Sequence, residues 1–389
     1  MVLTVLLAAI VAAVPADDDI PRGQIVAHVA CTNNTAQSYA LYVPSNYTPD
    51  HEWPVIFAFD PGGRGINPVE RYQAAAERYG YIVAGSNNSR NGSWAVSQAA
   101  VAAMTGDVNA KFRVDEKREY VAGMSAGSRV ALGVALSSPN IAGVIASSAG
   151  YPDNRVRREL PFPVFETAGT EDFNYLEMRD MDRALQTPHR LRIFEGPHVW
   201  LSSDVAMEAI EWMEIQAMKS GRKPRDQSEL DAILAKRISA LPADAAQAGP
   251  LNSDAYAAFN AIVSDFRDLE DVSRFSSRIA AMDSDKRFQA ALKAESKKQQ
   301  EAEDRERTMS QVILGEEALL TDASHRETAL KTLGERWKAL SESASGPTDT
   351  PDRRMARRVL SGLSMSVSSQ DPEYLAIVQK YRMARPGRE

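Results

Sequence analysis

The sequence predicts an α/β fold, with a mostly parallel sheet flanked by helices, followed by a smaller all-α domain. Three observations carry this expectation. Short continuous apolar runs recur between residues 24 and 220: Trp53-Pro54-Val55-Ile56-Phe57-Ala58-Phe59, Tyr81-Ile82-Val83-Ala84, Tyr120-Val121-Ala122, Val144-Ile145-Ala146 and Pro163-Val164-Phe165. Runs of strand length without alternation suit strands buried on both faces, as in a parallel sheet. Stretches of helical periodicity lie between them, which reads as successive βαβ units. Beyond the polar break Gly221-Arg222-Lys223-Pro224-Arg225 only helical patterns remain.

Taken in order, residues 2–14 are an apolar run interrupted only by Thr4. A membrane span needs about 20 apolar residues, so this run is short for one. Val14 and Ala16 occupy the small-residue positions of a signal-peptidase site, and Asp17, Asp18 and Asp19 follow. Residues 1–16 therefore read as a signal peptide cleaved after Ala16, although no Lys or Arg precedes the apolar run. The expected location is secreted or periplasmic, with no stable membrane span after cleavage. Residues 24–30 and 37–44 have no helix between them and fit an antiparallel edge. A helix is expected from Asn67, with Asn67 as N-cap, Pro68 at the first helical position and Gly80 as the stop.

The sheet-forming region is expected to end near residue 220, and residues 225–389 to form a helical domain, with weak likeness to tetratricopeptide pairs. In it, Tyr256, Phe259, Ile262, Val263 and Phe266 lie at helical spacing and must be buried somewhere, on each other, on the preceding domain or on a protein partner. The charged stretch 293–308 lacks large apolar residues at its centre and reads as the solvated part of a long helix.

Composition narrows the chemistry. A chain of 389 residues has room for two domains. Its formal net charge of −7 argues against a basic nucleic-acid binder, so no nucleic-acid partner is expected. With one cysteine, Cys31, the chain can form no intrachain disulfide, cysteine-rich zinc site or iron–sulfur cluster. Acid–base chemistry near neutral pH draws on five histidines: His28, His51, His189, His198 and His325.

The sharpest local motif is Gly123-Met124-Ser125-Ala126-Gly127, a G-x-S-x-G pentapeptide. It directly follows an apolar strand and opens an Ala-rich helix. A nucleophilic serine on so tight a turn needs small flanking residues, and the helix N-terminus then faces the reacting carbonyl. A hydroxyl needs a base to become a nucleophile. His198, in Gly196-Pro197-His198-Val199-Trp200, follows the last short strand and so sits at the carboxyl edge of the sheet, where ligands bind. The other four histidines fall in an early strand, a turn, a loop and the helical tail. A carboxylate must orient the imidazole. Asp172, in Gly169-Thr170-Glu171-Asp172, is the first choice and Glu171 the second. For the oxyanion, the backbone N–H of Ala126 is the first donor. The second is expected from Asp60-Pro61-Gly62-Gly63-Arg64-Gly65, with Gly63 ahead of Arg64. The spacing matches no phosphate-binding loop.

These segments resemble the α/β-hydrolase superfamily, in particular compact, nearly lidless serine esterases related to feruloyl esterases, acetylxylan esterases and polyhydroxybutyrate depolymerases. The chain order Ser125, Asp172, His198 is the order of that fold. The resemblance covers residues of about 24–220. Two departures stand out: many members have His-Gly where this chain has Pro61-Gly62, and many carry disulfides. The short stretch 151–160 between the sixth and seventh strands leaves little room for a lid.

The resemblance implies hydrolysis of carboxylic esters, of small molecules or linked to polysaccharide, with no metal and no organic cofactor. Two alternatives stay open. One keeps the triad but cleaves a peptide bond, as in prolyl-oligopeptidase-like enzymes. The other is a catalytically silent hydrolase scaffold whose helical tail binds a partner. Arg64, Asn87, Asn88 and Arg90 are polar groups expected near the carboxyl edge, where they would suit a sugar or carboxylate.

Overall fold

A computed structural model describes residues 20–242 and 252–382. The expected signal segment, residues 1–16, lies outside the described residues. Among the described residues the strands form an eight-stranded sheet in the order β1-β2-β4-β3-β5-β6-β7-β8. By density of internal contacts the chain divides into two units, residues 20–145 with 202–207, and residues 146–201 with everything described from 208 onward.

In the first unit, β1 (Ile25–Cys31) and β2 (Asn34–Tyr42) form the expected antiparallel edge, and β2 pairs antiparallel with β4 (Ile82–Ser86). β3 (Trp53–Phe59) lies between β4 and β5 (Val114–Met124), parallel to both. Every residue of β3 is buried, as its unbroken apolar run requires. Helix α1 (Ile66–Tyr79) buries Val69, Tyr72, Ala75 and Ala76 and stops at Gly80, whose φ of +72° turns the chain so that Tyr81 N–H joins Gly80 N–H on the Ala76 carbonyl, each at 2.9 Å. The helix begins two residues before the expected position, with Gly65 as N-cap. Asn67 does not cap it, because its amide instead donates to Asp60 Oδ2 at 3.0 Å. Helix α2 (Trp94–Lys111) precedes β5, α3 (Ala126–Ser137) follows it, and the chain then enters β6 (Ile141–Ser147), which runs past the division at residue 145.

In the second unit, β7 (Val164–Gly169) is wholly buried and pairs parallel with the half-buried β8 (His189–Phe194). Between them runs α4 (Tyr175–Ala184). Neither helix nor strand occupies residues 148–163, so little lid is present. Helix α5 (Ser203–Lys219) follows β8 in the chain. The later chain is helical throughout its described residues: α6 (Gln227–Ser239), α7 (Ser253–Phe266), α8 (Ser273–Ser284), α9 (Lys286–Ala318), α10 (Arg326–Ala344), α11 (Pro351–Ser366) and α12 (Pro372–Tyr381). Their apolar faces close over two clusters, one around Phe259, Phe266 and Phe275, the other around Leu333, Trp337, Leu360 and Tyr374.

The charged part of α9 corrects a sequence expectation. Glu303 and Glu306 are buried, at 3% and 4% exposure, rather than solvated. Glu303 pairs with Arg179 and Arg183 of α4, and Arg307 donates to both oxygens of Asp180 at 2.8 Å. Glu306 accepts a two-pronged contact from Arg358 of α11, at 2.9 and 2.5 Å. Buried carboxylates are tolerated because each meets a guanidinium in hydrogen-bonding geometry. Among the described residues no helix is long and apolar enough to cross a membrane.

Candidate active site

The parallel register fixes which loops leave the sheet together. Phe59 of β3 pairs with Gly123 of β5, so the Asp60–Gly65 loop and the serine turn emerge side by side at the carboxyl ends of the two strands. Ser125 has φ +56° and ψ −124°, a backbone conformation that residues with a Cβ rarely adopt. It is half-buried at the head of α3, and its carbonyl accepts the helix's first hydrogen bonds, from Ser128 at 2.9 Å and Arg129 at 3.2 Å.

The flanking glycines are steric requirements. A Cβ on Gly123 would stand 2.1 Å from the Gly127 carbonyl oxygen, and one on Gly127 would stand 1.9 Å from the Phe59 carbonyl oxygen. The sequence motif is thus the imprint of backbone crowding between β5, α3 and the end of β3. Ala126 is the first residue of α3, so its N–H lies outside the helix's own ladder.

The neighbouring loop is organised by Asp60, which is 1% exposed. Its Oδ1 accepts from Gly62 N–H at 2.8 Å and from Arg64 N–H at 3.3 Å. Gly63 N–H donates to the Asp60 carbonyl at 3.1 Å, and Gly63 has φ +69°. Asn91 N–H bonds to the Pro61 carbonyl at 2.9 Å and braces the loop from the far side. The two asparagines read as candidate ligand groups are engaged in holding the backbone. Asn87 accepts from Gly65 N–H at 3.1 Å, and Asn88 accepts from Ser38 N–H at 2.8 Å. Arg90 is exposed, and the Arg64 side chain is 67% exposed.

In the second unit the register of β7 with β8 sets Gly169 opposite Phe194, so the two remaining loops also emerge together. They are bonded into one structure. Thr170 N–H donates to the Phe194 carbonyl and Glu171 N–H to the Gly196 carbonyl, both at 2.8 Å. A Cβ on Gly169 would lie 2.3 Å from the Gly196 oxygen. The result is that Asp172 Oδ1 lies 2.7 Å from His198 Nδ1. Asp172 is fully buried, and its Oδ1 also accepts from Asn174 N–H at 2.8 Å. The structure therefore brings Asp172 and His198 together, while Glu171 turns to Arg357 of α11, whose Nη1 donates to both its oxygens at 2.8 and 2.9 Å. The Phe173 ring stacks on His198, centroids 3.9 Å apart.

Three of the other four histidines have local partners. His51 contacts Asp50 at 2.9 Å in an exposed turn, His189 Nδ1 lies 2.7 Å from the Thr187 carbonyl, and His325 contacts Asp322 at 2.8 Å beside the start of α10. Among the described residues no group of three or more histidine, cysteine or carboxylate side chains is arranged to hold a metal ion. Sequence reading missed Phe173, Arg357 and Arg358 around this site. Phe173 sits next to the chosen aspartate, but no motif marks it, and the two arginines lie more than 180 residues further along the chain.

The sheet, its flanking helices and the strand–serine–helix turn define an α/β-hydrolase fold with little lid, followed by helices. No family model and no curated protein matches the chain. Among solved structures it is similar to the feruloyl esterase module of Clostridium thermocellum complexed with sinapinate, at 15% identity over 48% of this chain and 85% of that one, TM-score 0.38. It is also similar to a fluorophosphonate-binding serine hydrolase of Staphylococcus aureus, at 14% identity over 50% and 99% of the two chains, TM-score 0.39. A thermophilic esterase of Thermogutta terrifontis, butyrate-bound, gives 16% identity over 53% and 97%, TM-score 0.39.

Proposed function

We propose that the protein is a serine hydrolase that cleaves carboxylic esters through an acyl-enzyme, with Ser125 as nucleophile, His198 as general base and Asp172 as the group that orients the imidazole. The observation that carries this reading is the backbone of Ser125, held at φ +56° and ψ −124° between two glycines that cannot be replaced without a backbone clash. Strain of this kind costs about 1–3 kcal/mol and persists where surrounding structure enforces it. The Asp172–His198 pair supplies the second half of the reading, since a serine nucleophile needs a base held in one tautomer.

Ser125 Oγ adds to the ester carbonyl while His198 takes its proton. The tetrahedral oxyanion is met by Ala126 N–H and by Gly63 N–H, the latter exchanging its 3.1 Å bond to the Asp60 carbonyl for the oxyanion. The intermediate collapses, the C–O bond to the alcohol breaks, and His198 returns the proton to the leaving alkoxide. Water, deprotonated by His198, then adds to the acyl-serine; the bond from the acyl carbon to Ser125 Oγ breaks, His198 returns the proton to that oxygen, and the carboxylic acid leaves. Asp172 stabilises the imidazolium formed in each half-reaction.

The substrates proposed are small-molecule or polysaccharide-linked esters, reached in an exported protein. The test is a panel of aryl, alkyl and sugar esters assayed against the purified protein and Ser125→Ala. Hydrolysis that the substitution abolishes supports the reading, and hydrolysis that survives it discards Ser125.

A further inference from the structure

We infer that helix α11 of the C-terminal helical region positions the general-base pair: Arg357 and Arg358, with Gly362 behind Phe173, hold the Asp172 loop in the geometry that seats Asp172 on His198. The catalytic consequence rests on the hydrolase reading above.

The loop is gripped on both sides of the aspartate. Arg358 Nη1 donates to the Thr170 carbonyl at 2.6 Å, two residues before Asp172. Arg357 Nη1 donates to both oxygens of Glu171, the residue immediately before it. The Arg358 guanidinium also lies 4.5 Å from the ring centroid of Tyr175, at the start of α4. Between these points Phe173 meets α11 directly, since a Cβ added to Gly362 would come within 3.4 Å of Phe173 Cβ. Arg358 and Gly362 are four residues apart and share one face of the helix. One face of α11 thus touches residues 170, 173 and 175, and Arg357 reaches residue 171. Asp172 is the enclosed member of that set.

The grip is itself anchored. Arg357 Nε donates to the Ala344 carbonyl at the end of α10, at 2.9 Å. Arg358 uses Nε and Nη2 on Glu306 of α9, leaving Nη1 for the loop. The arginines are 22% and 11% exposed at their side chains, and Glu171 and Glu306 are 15% and 5% exposed, so water screens these pairs weakly. Planar guanidinium geometry matters for Arg358, whose three donors are divided between two partners in fixed directions. None of these groups exchanges a proton in the reaction, so they are positioning residues. A displacement of the order of 1 Å at a catalytic group costs up to about 10²-fold in rate.

The experiment compares the wild-type protein with Arg357→Ala, Arg357→Lys, Arg358→Lys, Gly362→Val and Asp172→Asn on the full chain. It reads kcat and KM for an aryl acetate, melting temperature, and the far-downfield proton NMR signal of the His198 Nδ1–H shared with Asp172. That signal is assigned by its loss in Asp172→Asn. The expected result for Arg357→Ala and Gly362→Val is loss or broadening of the signal, with kcat reduced about 10–10²-fold and KM nearly unchanged. Arg357→Lys, which keeps the charge beside Glu171, should recover most of both readouts, whereas Arg358→Lys should not. A folded Arg357→Ala or Gly362→Val that keeps the wild-type signal and kcat while only its melting temperature falls would overturn the positioning role and leave the hydrolase reading intact. A wild-type protein without esterase activity, whose signal nonetheless disappears in Arg357→Ala, would sustain the brace and remove the hydrolase reading.

Discussion

The rings of Phe173 and His198 stack at a centroid separation of 3.9 Å with their planes inclined by 30°. The imidazole is therefore fixed in two ways: Asp172 Oδ1 takes its Nδ1 edge at 2.7 Å, and Phe173 covers one face. Two adjacent residues of one loop supply both restraints. The same loop holds a second acid, Glu171, pointed at Arg357 instead. Adjacent carboxylates so placed have different duties, and each duty can be measured.

Asp172→Asn should lower kcat/KM for an aryl ester by about 10⁴-fold, because an amide cannot stabilise the imidazolium and favours the wrong tautomer. Glu171→Gln should lower it by no more than about tenfold, since it weakens a positioning ion pair and leaves the base pair in place. Steady-state kinetics of the two purified variants decide the matter. A larger loss for Glu171→Gln would show that the loop's register in solution differs from the one described here.

The strain at Ser125 predicts a stability gain on removing its Cβ. Ser125→Ala keeps the Cβ and should melt close to the wild type. Ser125→Gly should melt higher than Ser125→Ala by about 2 °C, as relief of the unfavourable φ/ψ outweighs the flexibility that glycine adds to the unfolded chain. Gly127→Ala should do the reverse and destabilise by about 3 kcal/mol or more, because its methyl would have to displace the Phe59 carbonyl. Calorimetry of the three variants checks the order, and a Ser125→Gly protein that melts below Ser125→Ala would contradict it.

Glu166 on β7 offers a test of burial. Its side chain is fully buried, both oxygens lack hydrogen-bond partners among the described residues, and burial, with a smaller push from Asp182, raises its carboxyl well above the ordinary value of 4.5. A carboxyl raised in the folded state favours folding below its unfolded pKa, and that advantage is lost as pH rises from there toward the folded value. Glu166→Gln is neutral at every pH and escapes this loss. Its melting temperature relative to wild type should therefore climb between pH 4.5 and pH 8. A difference that stays flat over this range would mean that the carboxylate finds a compensating partner.

Much of the first unit was legible because its signals are local. β3 could be read from an unbroken apolar run, and the serine turn from two glycines whose spacing reflects a backbone contact. Asp172 and His198 were legible as loop residues after two late strands, and the structure seats them on each other. The helical region was legible as helices and opaque in what it touches. Glu303 and Glu306 look like solvent-facing residues of a charged helix, because nothing within α9 announces the arginines of α4 and α11 that bury them. Arg357 and Arg358 are similarly plain in sequence. Their meaning lies in Glu171 and Thr170, and pairing between single charged residues so far apart leaves no periodic trace. Asn87 and Asn88 show the opposite error of reading, polar side chains that suggested a ligand and are occupied with backbone.

Covalent labelling with a fluorophosphonate tests most directly whether Ser125 is an activated nucleophile. Purified full-length protein should take up one equivalent of probe, with peptide mass spectrometry placing the adduct on Ser125. Labelling should be absent in Ser125→Ala and slowed by about 10³-fold or more in His198→Ala, because the hydroxyl reacts only when the imidazole removes its proton. A folded wild-type protein that fails to label, or that labels at another residue with Ser125→Ala unaffected, would contradict the account.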